Sequence, residues 1–198
     1  MADPRYPTVE VPEGWELTEE AVETLFELPT VSVRGASRRY EDRVGRDALA
    51  DATDPPYDEP LRFFAATRLA FEPGLPPGTL PATILPSVRQ QARRSFKQRL
   101  RDRGVSRLSR GRSERLRVAG SWVRARSYTG TVDTPDGQDL PVEGWLAAWH
   151  DDDFFVVTGG YPDDRLADIF ATEDAAPGLS TPPRNYRDDF FDLLRGVR

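Results

Sequence analysis

The sequence predicts an α+β fold in which an antiparallel β-sheet is flanked by helices. Three observations lead to this fold class. Residues 83–103 have helical periodicity, residues 116–158 form a series of extended segments separated by turns, and a further helical pattern closes the chain at 185–194. The chain has 198 residues, of which 38% are hydrophobic, so it is long enough for one well-packed core. We therefore expect a single domain over 1–198.

The first predicted element is a short helix over 18–28. Thr18 can cap its N-terminus, and Pro29 would end it. Apolar residues inside this segment recur at helical spacing: Val22, Leu25 and Phe26. Alternating patterns then predict strands over 31–40 and 61–71. Because the second of these has apolar residues on both faces, we expect it in the interior of the sheet.

Residues 83–103 are predicted to form one long basic amphipathic helix that ends at Gly104. At 100° per residue, six apolar side chains form one arc: Ile84, Leu85, Val88, Ala92, Phe96 and Leu100. Five basic side chains gather on the other side: Arg89, Arg93, Arg94, Lys97 and Arg101. We expect the apolar arc to pack against the sheet and the basic arc to be exposed, because buried guanidinium groups without partners are costly.

A C-terminal β-meander is predicted after this helix. Apolar residues occupy even-numbered positions before Gly120 and odd-numbered positions after it, which predicts extended structure over 116–132 with a bulge or bend near Gly120. Four residues then share one strand face: Trp122, Arg124, Arg126 and Tyr128. A turn at 135–137 follows, and strands over 140–150 and 154–158 complete the meander.

The order of elements resembles the PsbP/Mog1-type α/β fold. Two segments carry the resemblance, the Val-Pro-Glu-Gly-Trp entry at 11–15 and the late hairpin formed by 144–149 and 154–158. A long helix before the meander and closing helices over 163–171 and 185–194 fit the same order. The resemblance implies an antiparallel sheet flanked by helices and an accessory or partner-binding role without catalysis. It carries no functional residue over to this chain.

Composition limits the chemistry that the chain can perform. The absence of cysteine excludes disulfides, thiolate nucleophiles and zinc fingers. No apolar run is long enough to span a bilayer, and residues 1–10 lack the pattern of a signal peptide, so we expect a cytoplasmic protein. Lys97 is the sole lysine, and with a pI near 5.0 this composition is compatible with a halophilic archaeon. No motif indicates a metal, a cofactor or a catalytic residue.

Positive charge is concentrated in the middle of an acidic chain. Residues 88–126 contain fourteen basic and two acidic side chains, whereas the whole chain has a formal charge of -6. The guanidinium group of an arginine can donate two hydrogen bonds to a phosphate, and aromatic rings among the arginines can stack on bases. We therefore predict a surface for an acidic protein, a nucleic acid or the ribosome, formed by Arg89, Arg93, Arg94, Lys97, Arg101, Trp122, Arg124, Arg126 and Tyr128. In the other interpretation, these arginines form a solvated face that pairs with carboxylates elsewhere in the fold.

A small hydrolase is the alternative function, because His150 is the one side chain whose ordinary pKa suits proton transfer near neutral pH. No Gly-x-Ser-x-Gly elbow, His-x-x-x-His pair or phosphate loop accompanies it. The acidic runs at 151–153, 163–164 and 188–189 lack the spacing of a calcium loop, so we expect solvated turns there. Trp145 and Trp149 share a strand face, which favours core packing over a ligand groove.

Overall fold

A computed structural model describes residues 4–28, 31–54, 56–134, 137–170 and 178–198. Within these residues the protein has an α+β fold with seven strands and four helices. The strands are β1 (Trp15–Leu28), β2 (Val31–Asp42), β3 (Phe63–Glu72), β4 (Ser106–Val118), β5 (Ser121–Asp133), β6 (Asp139–His150) and β7 (Phe154–Pro162). The helices are α1 (Arg43–Ala52), α2 (Pro81–Asp102), α3 (Leu166–Ile169) and α4 (Pro183–Arg195).

The seven strands form one antiparallel sheet in the order β1-β2-β3-β7-β6-β5-β4. Strands β4 to β7 are neighbours in chain order and make up an antiparallel meander. Strand β3 lies between β2 and β7, which confirms the expected interior strand. No helix among the described residues is long and apolar enough to cross a membrane.

Side-chain alternation divides the core between the two faces of the sheet. On one face, which we call the α4 side, Trp145 packs against Phe190 and Phe191 of α4, with ring centroids 6.2 and 4.9 Å apart. Trp149 is buried on the same side, so the predicted core position of both tryptophans is confirmed. The opposite face, the α2 side, is covered by four buried residues of α2: Val88, Ala92, Phe96 and Leu100.

The predicted helix over 18–28 is wrong, because these residues belong to strand β1. Two irregularities in the β1–β2 register, between Leu17 and Glu19 and between Thr24 and Phe26, change the side-chain parity of the strand. As a result Leu25 and Phe26 both pack against the core on the α2 side. Because side chains next to a bulge no longer alternate between the two faces, the apolar residues of this strand have the spacing that is typical of a helix.

The predicted bulge near Gly120 is a tight turn between two strands. Ala119 and Gly120 both have positive φ, 45° and 89°, which is the conformation of a two-residue hairpin turn. The strand before this turn is β4, which begins at Ser106 and not at residue 116, where the predicted extended segment begins. Residues 135 and 136 of the predicted turn lie outside the described residues, as does residue 171 of the predicted helix over 163–171. In that segment, Leu166–Ile169 is helical.

Candidate anion-binding surface

Helix α2 and strand β5 bring basic side chains together beside the sheet. Pro81 occupies the start of α2, where its missing N–H costs no hydrogen bond. Val88 and Ala92, four residues apart, face the sheet and fix the rotation of the helix. Arg89 and Arg93 follow them by one position and therefore lie along the flank of the helix.

Four arginines line one small cavity of about 210 Å³, and we call them the four-arginine cluster: Arg89, Arg93, Arg124 and Arg126. The rest of its lining is apolar and comes from Leu146 and Ala148 of β6. The Arg89 Nε donates a hydrogen bond to the Ala148 carbonyl at 3.1 Å, which anchors this guanidinium to the sheet. The cluster therefore combines a fixed cation with three neighbouring ones.

The electrostatic environment of the cluster is repulsive. Burial lowers the pKa of Arg89, and the charges of Arg124 and Arg93 lower it further. The pKa of Arg126 is also lowered, first by burial and then by Arg110, with smaller contributions from Arg93 and Arg124. Like charges at short range destabilise one another, so a bound anion would relieve this repulsion.

Most basic residues of the 88–126 segment lack an ion pair in the described part of the chain. Of the fourteen, only Arg107 and Arg112 lie within 4.0 Å of a described carboxylate, those of Asp139 and Glu143. Elsewhere most described arginines are paired, as in the contacts of Arg62 with Asp42 and Asp189. The four arginines of the cluster are among those that have no such ion pair.

An exposed aromatic ring extends the basic surface. The side chain of Trp122 is 53% exposed, and the guanidinium groups of Arg115 and Arg117 lie 4.6 and 5.0 Å from its ring centroid. Arg117 is the cross-strand neighbour of Trp122, and Arg115 is that of Arg124. Strand β4 thus continues the row of positive charge that begins on α2.

The structure groups some of the residues predicted for this surface and separates others. The helix residues Arg94, Lys97 and Arg101 do not line the cavity, although Arg94 and Arg101 are exposed. Tyr128 requires a correction, because it is only 5% exposed and its ring packs against that of Phe96 at 6.0 Å. It therefore has no free ring face for a base.

Sequence reasoning missed three arginines of β4: Arg110, Arg115 and Arg117. The signal was present in the run Arg115 to Val118, where arginine alternates with buried Leu116 and Val118. This alternation is typical of a strand with one face in the core. The segment was instead interpreted only as part of a charge excess.

The alternative catalytic residue, His150, is two residues from Ala148 on β6 but does not line the cavity of the cluster. Its ring packs edge-on against Phe154 with centroids 4.5 Å apart, and it does not line the larger cavity beside α2 either. Of the aspartates that follow it, Asp151 accepts a hydrogen bond from Ser121 and Asp153 pairs with Arg68. No group of three His, Asp or Glu side chains within the described ranges is arranged to hold a metal ion.

A larger cavity, of about 750 Å³, lies between the C-terminal end of α2 and the sheet. Its charged lining is mixed, with Arg39 and Arg103 among five carboxylates: Glu41, Glu59, Asp102, Asp133 and Glu143. Glu143 is buried and accepts hydrogen bonds from Arg112 and from the Tyr161 hydroxyl at 2.8 and 2.7 Å. Carboxylates outnumber arginines in this lining, so this cavity does not offer an anion the uniform positive charge of the four-arginine cluster.

Comparison with known proteins gives a family and no activity. No curated protein matches the chain. The family described as "Domain of unknown function (DUF6517)" matches residues 3–198, which is almost the whole chain. The protein therefore belongs to the DUF6517 family.

Proposed function

We propose that this chain is a non-catalytic cytoplasmic binding or adaptor protein that engages an anionic partner through the four-arginine cluster and the adjoining face of β5. The basic side of α2 and a PsbP/Mog1-like architecture belong to the same proposal. The observation that carries it is the convergence of Arg89, Arg93, Arg124 and Arg126 on one cavity with no ion pair to a described carboxylate. In an acidic chain, such a patch orients the molecule towards a negative partner.

Phosphate is the anionic group that best fits this cluster. A guanidinium donates two parallel hydrogen bonds to a phosphate, and several guanidinium groups can share its charge. The apolar floor of Leu146 and Ala148 excludes water from one side of the cavity, which strengthens these contacts. A multiply charged oxyanion bound here would offset the repulsion among the four arginines.

A nucleic acid is favoured over an acidic protein because of Trp122. An exposed indole within a row of arginines offers a stacking surface, and stacking on aromatic rings is a general means of binding single strands. An acidic protein would pair with the same arginines but would have no particular use for the ring. The proposal therefore names the phosphate backbone of a single-stranded nucleic acid.

The direct test is a titration of fluorescently labelled single-stranded RNA by anisotropy over a series of salt concentrations. The test variant is Arg93→Gln/Arg124→Gln, and the matched control is Arg165→Gln/Arg184→Gln, which removes the same charge from exposed positions outside the proposed surface. We expect the test variant to bind at least tenfold more weakly and its salt slope to fall by about 0.7 for each lost phosphate contact. The control should keep the wild-type slope.

Equal losses in both variants would overturn the role of the cluster, because they would reflect net charge alone. Absence of RNA binding by the wild type would overturn the choice of partner. In that case, capture from native extract with and without nuclease tests for an acidic protein, which should resist nuclease and be lost with Arg93→Gln/Arg124→Gln. Cleavage of the RNA by the wild type that is abolished in His150→Ala would instead favour the hydrolase alternative.

A further inference from the structure

The two outer strands of the sheet, β1 and β4, each have one open edge. Strand β1 pairs with β2 alone and β4 pairs with β5 alone. Within the described ranges, the amide of Trp15 at the start of β1 bonds to the Pro12 carbonyl, and no other backbone hydrogen bond joins either strand to a segment outside the sheet. Open edges of this kind are templates for pairing with another strand.

These two edges carry opposite charges. Strand β1 spans fourteen residues with no basic side chain and five glutamates: Glu16, Glu19, Glu20, Glu23 and Glu27. Strand β4 spans thirteen residues with a single acidic side chain and five arginines: Arg107, Arg110, Arg112, Arg115 and Arg117. Charged residues protect sheet edges when all edges carry the same sign. Because β1 is acidic and β4 is basic, their charges oppose pairing of β1 with β1 and of β4 with β4, but they do not oppose pairing of β1 with β4.

Two glutamates of β1 and two arginines of β4, all without an ion pair to a described residue, lie on the same face of the sheet. Glu19 and Glu23 are the cross-strand partners of Arg39 and Gly35, which share a face with Val33 of the α2-side core. Neither glutamate forms an ion pair with a described residue, whereas Glu20 pairs with Arg38 on the other face. An acidic row therefore lies along β1 on the α2 side.

The basic row of β4 lies on the α2 side as well. Leu116 and Val118 point into the α4-side core. Because side chains alternate along a strand, Arg115 and Arg117 point to the α2 side. Neither arginine has an ion pair with a described carboxylate; both contact Trp122 instead. The pairing registers are regular over 19–24 in β1 and over 113–118 in β4, which gives two straight six-residue edges.

Strand direction determines how two copies would fit. Six antiparallel steps separate β1 from β4, so the two strands run in the same direction. A second copy placed beside the first with the α2 sides aligned brings its β1 parallel to β4. This arrangement sets Glu19 and Glu23 of one copy beside Arg115 and Arg117 of the other. Pairing β4 with β4, or β1 with β1, would bring like charges together.

We propose that copies of this chain associate head to tail, with β1 of one copy extending the sheet of the next at β4. Such a contact joins two different surfaces, so it propagates into a ring or an open filament. The backbone groups of both edges gain hydrogen bonds, and the facing glutamates and arginines select the partner edge. The contact uses none of the four arginines of the proposed binding cluster, although it does use Arg115 and Arg117 beside Trp122. Assembly is measured without nucleic acid, so the two proposals can fail separately.

The test is sedimentation velocity over a series of protein concentrations at low and high salt. Two charge-reversed variants are compared with the wild type: Arg115→Glu/Arg117→Glu, and Glu19→Arg/Glu23→Arg. We expect the wild type at low salt to sediment as multiples of the 22.3 kDa chain, and each variant alone as single chains. The two variants mixed in equal amounts should assemble again, because each then offers an edge of the sign that the other lacks.

A matched control, Arg94→Glu/Arg101→Glu, changes the net charge of the chain as much as the β4 variant does but acts on α2, and it should assemble like the wild type. Circular dichroism and melting curves establish that each variant is folded. A wild type that stays a single chain at every concentration at low salt overturns the proposal. So does loss of assembly in the control, or a mixture that fails to reassemble.

Discussion

Arg93 of α2 and Arg124 of β5 line the same cavity, and neither forms an ion pair with a carboxylate of the described residues. The two residues are far apart in sequence and are joined by the packing of α2 on the sheet. That packing depends on buried apolar residues such as Phe96, which is 2% exposed. Burial of the apolar side of α2 thus offsets the repulsion that its basic flank introduces.

The first prediction separates the packing role of α2 from its charge. Replacement of Phe96 by Ala should lower the free energy of unfolding by about 3–5 kcal/mol, because the ring is buried against Tyr128 and a cavity would remain. Arg93→Ala should change it by less than about 1 kcal/mol, since the side chain is exposed. Urea unfolding of the two variants measures both values. Equal midpoints would contradict the packing described for α2.

The sequence predicted the α+β class and the meander of the last strands because their alternation is regular and turns separate them. It failed for β1, where two bulges set Leu25 and Phe26 on the same side and imitate a helix. It also missed α1, a ten-residue helix whose one buried residue is Leu49. Local pattern therefore fails where a bulge shifts parity or a helix buries little.

The candidate site was predictable in composition and only partly in geometry. The parity of β5 correctly placed Arg124 and Arg126 on one face, but it said nothing of how deeply Tyr128 would be covered by α2. Whether the arginines would meet carboxylates depended on which strands become neighbours across the whole sheet. Such long-range pairing is set by tertiary packing and cannot be read from local spacing.

A second prediction concerns a glycine that allows α4 to approach the sheet. A Cβ at Gly159 would lie 2.6 Å from two ring carbons of Phe190 and 2.9 Å from the Phe63 carbonyl oxygen. Gly159→Ala should therefore destabilise the protein by roughly 1–3 kcal/mol through overpacking. Thermal or urea unfolding measures the loss. The matched control is Gly74→Ala, where a Cβ would meet nothing within 4 Å, and no loss is expected there.

A third prediction follows from the buried carboxylate of Glu143. Burial alone would raise its pKa, but hydrogen bonds from Arg112, Tyr161 and Ser127 outweigh this effect and lower the pKa below the ordinary 4.5. In the unfolded chain Glu143 binds its proton at a higher pH than in the folded protein. Its contribution to stability is therefore complete above pH 4.5 and is lost as the pH falls through the folded pKa.

The measurement for Glu143 is urea unfolding at a series of pH values below neutrality, compared with Glu143→Gln. The wild type should lose stability more steeply than the variant as the pH falls below 4.5, because the amide does not titrate. Parallel curves for the two proteins would show that the hydrogen bonds of Glu143 do not favour its charged form.

The last prediction tests whether the arginines around Trp122 lack anionic partners within one folded chain, and it is measured at protein concentrations too low for copies to associate. Trp122 is 53% exposed and contacts Arg115 and Arg117, whereas Trp145 and Trp149 are buried. A positive local potential concentrates anions and repels cations, so iodide should quench the exposed fluorescence more strongly than caesium does. Added chloride should weaken this preference by screening. In Trp122→Phe the component accessible to iodide should largely disappear, and in Arg115→Gln/Arg117→Gln the two quenchers should become more nearly equal. If iodide and caesium quench the wild type equally, the surface potential is even, and the arginines of β4 are neutralised in solution.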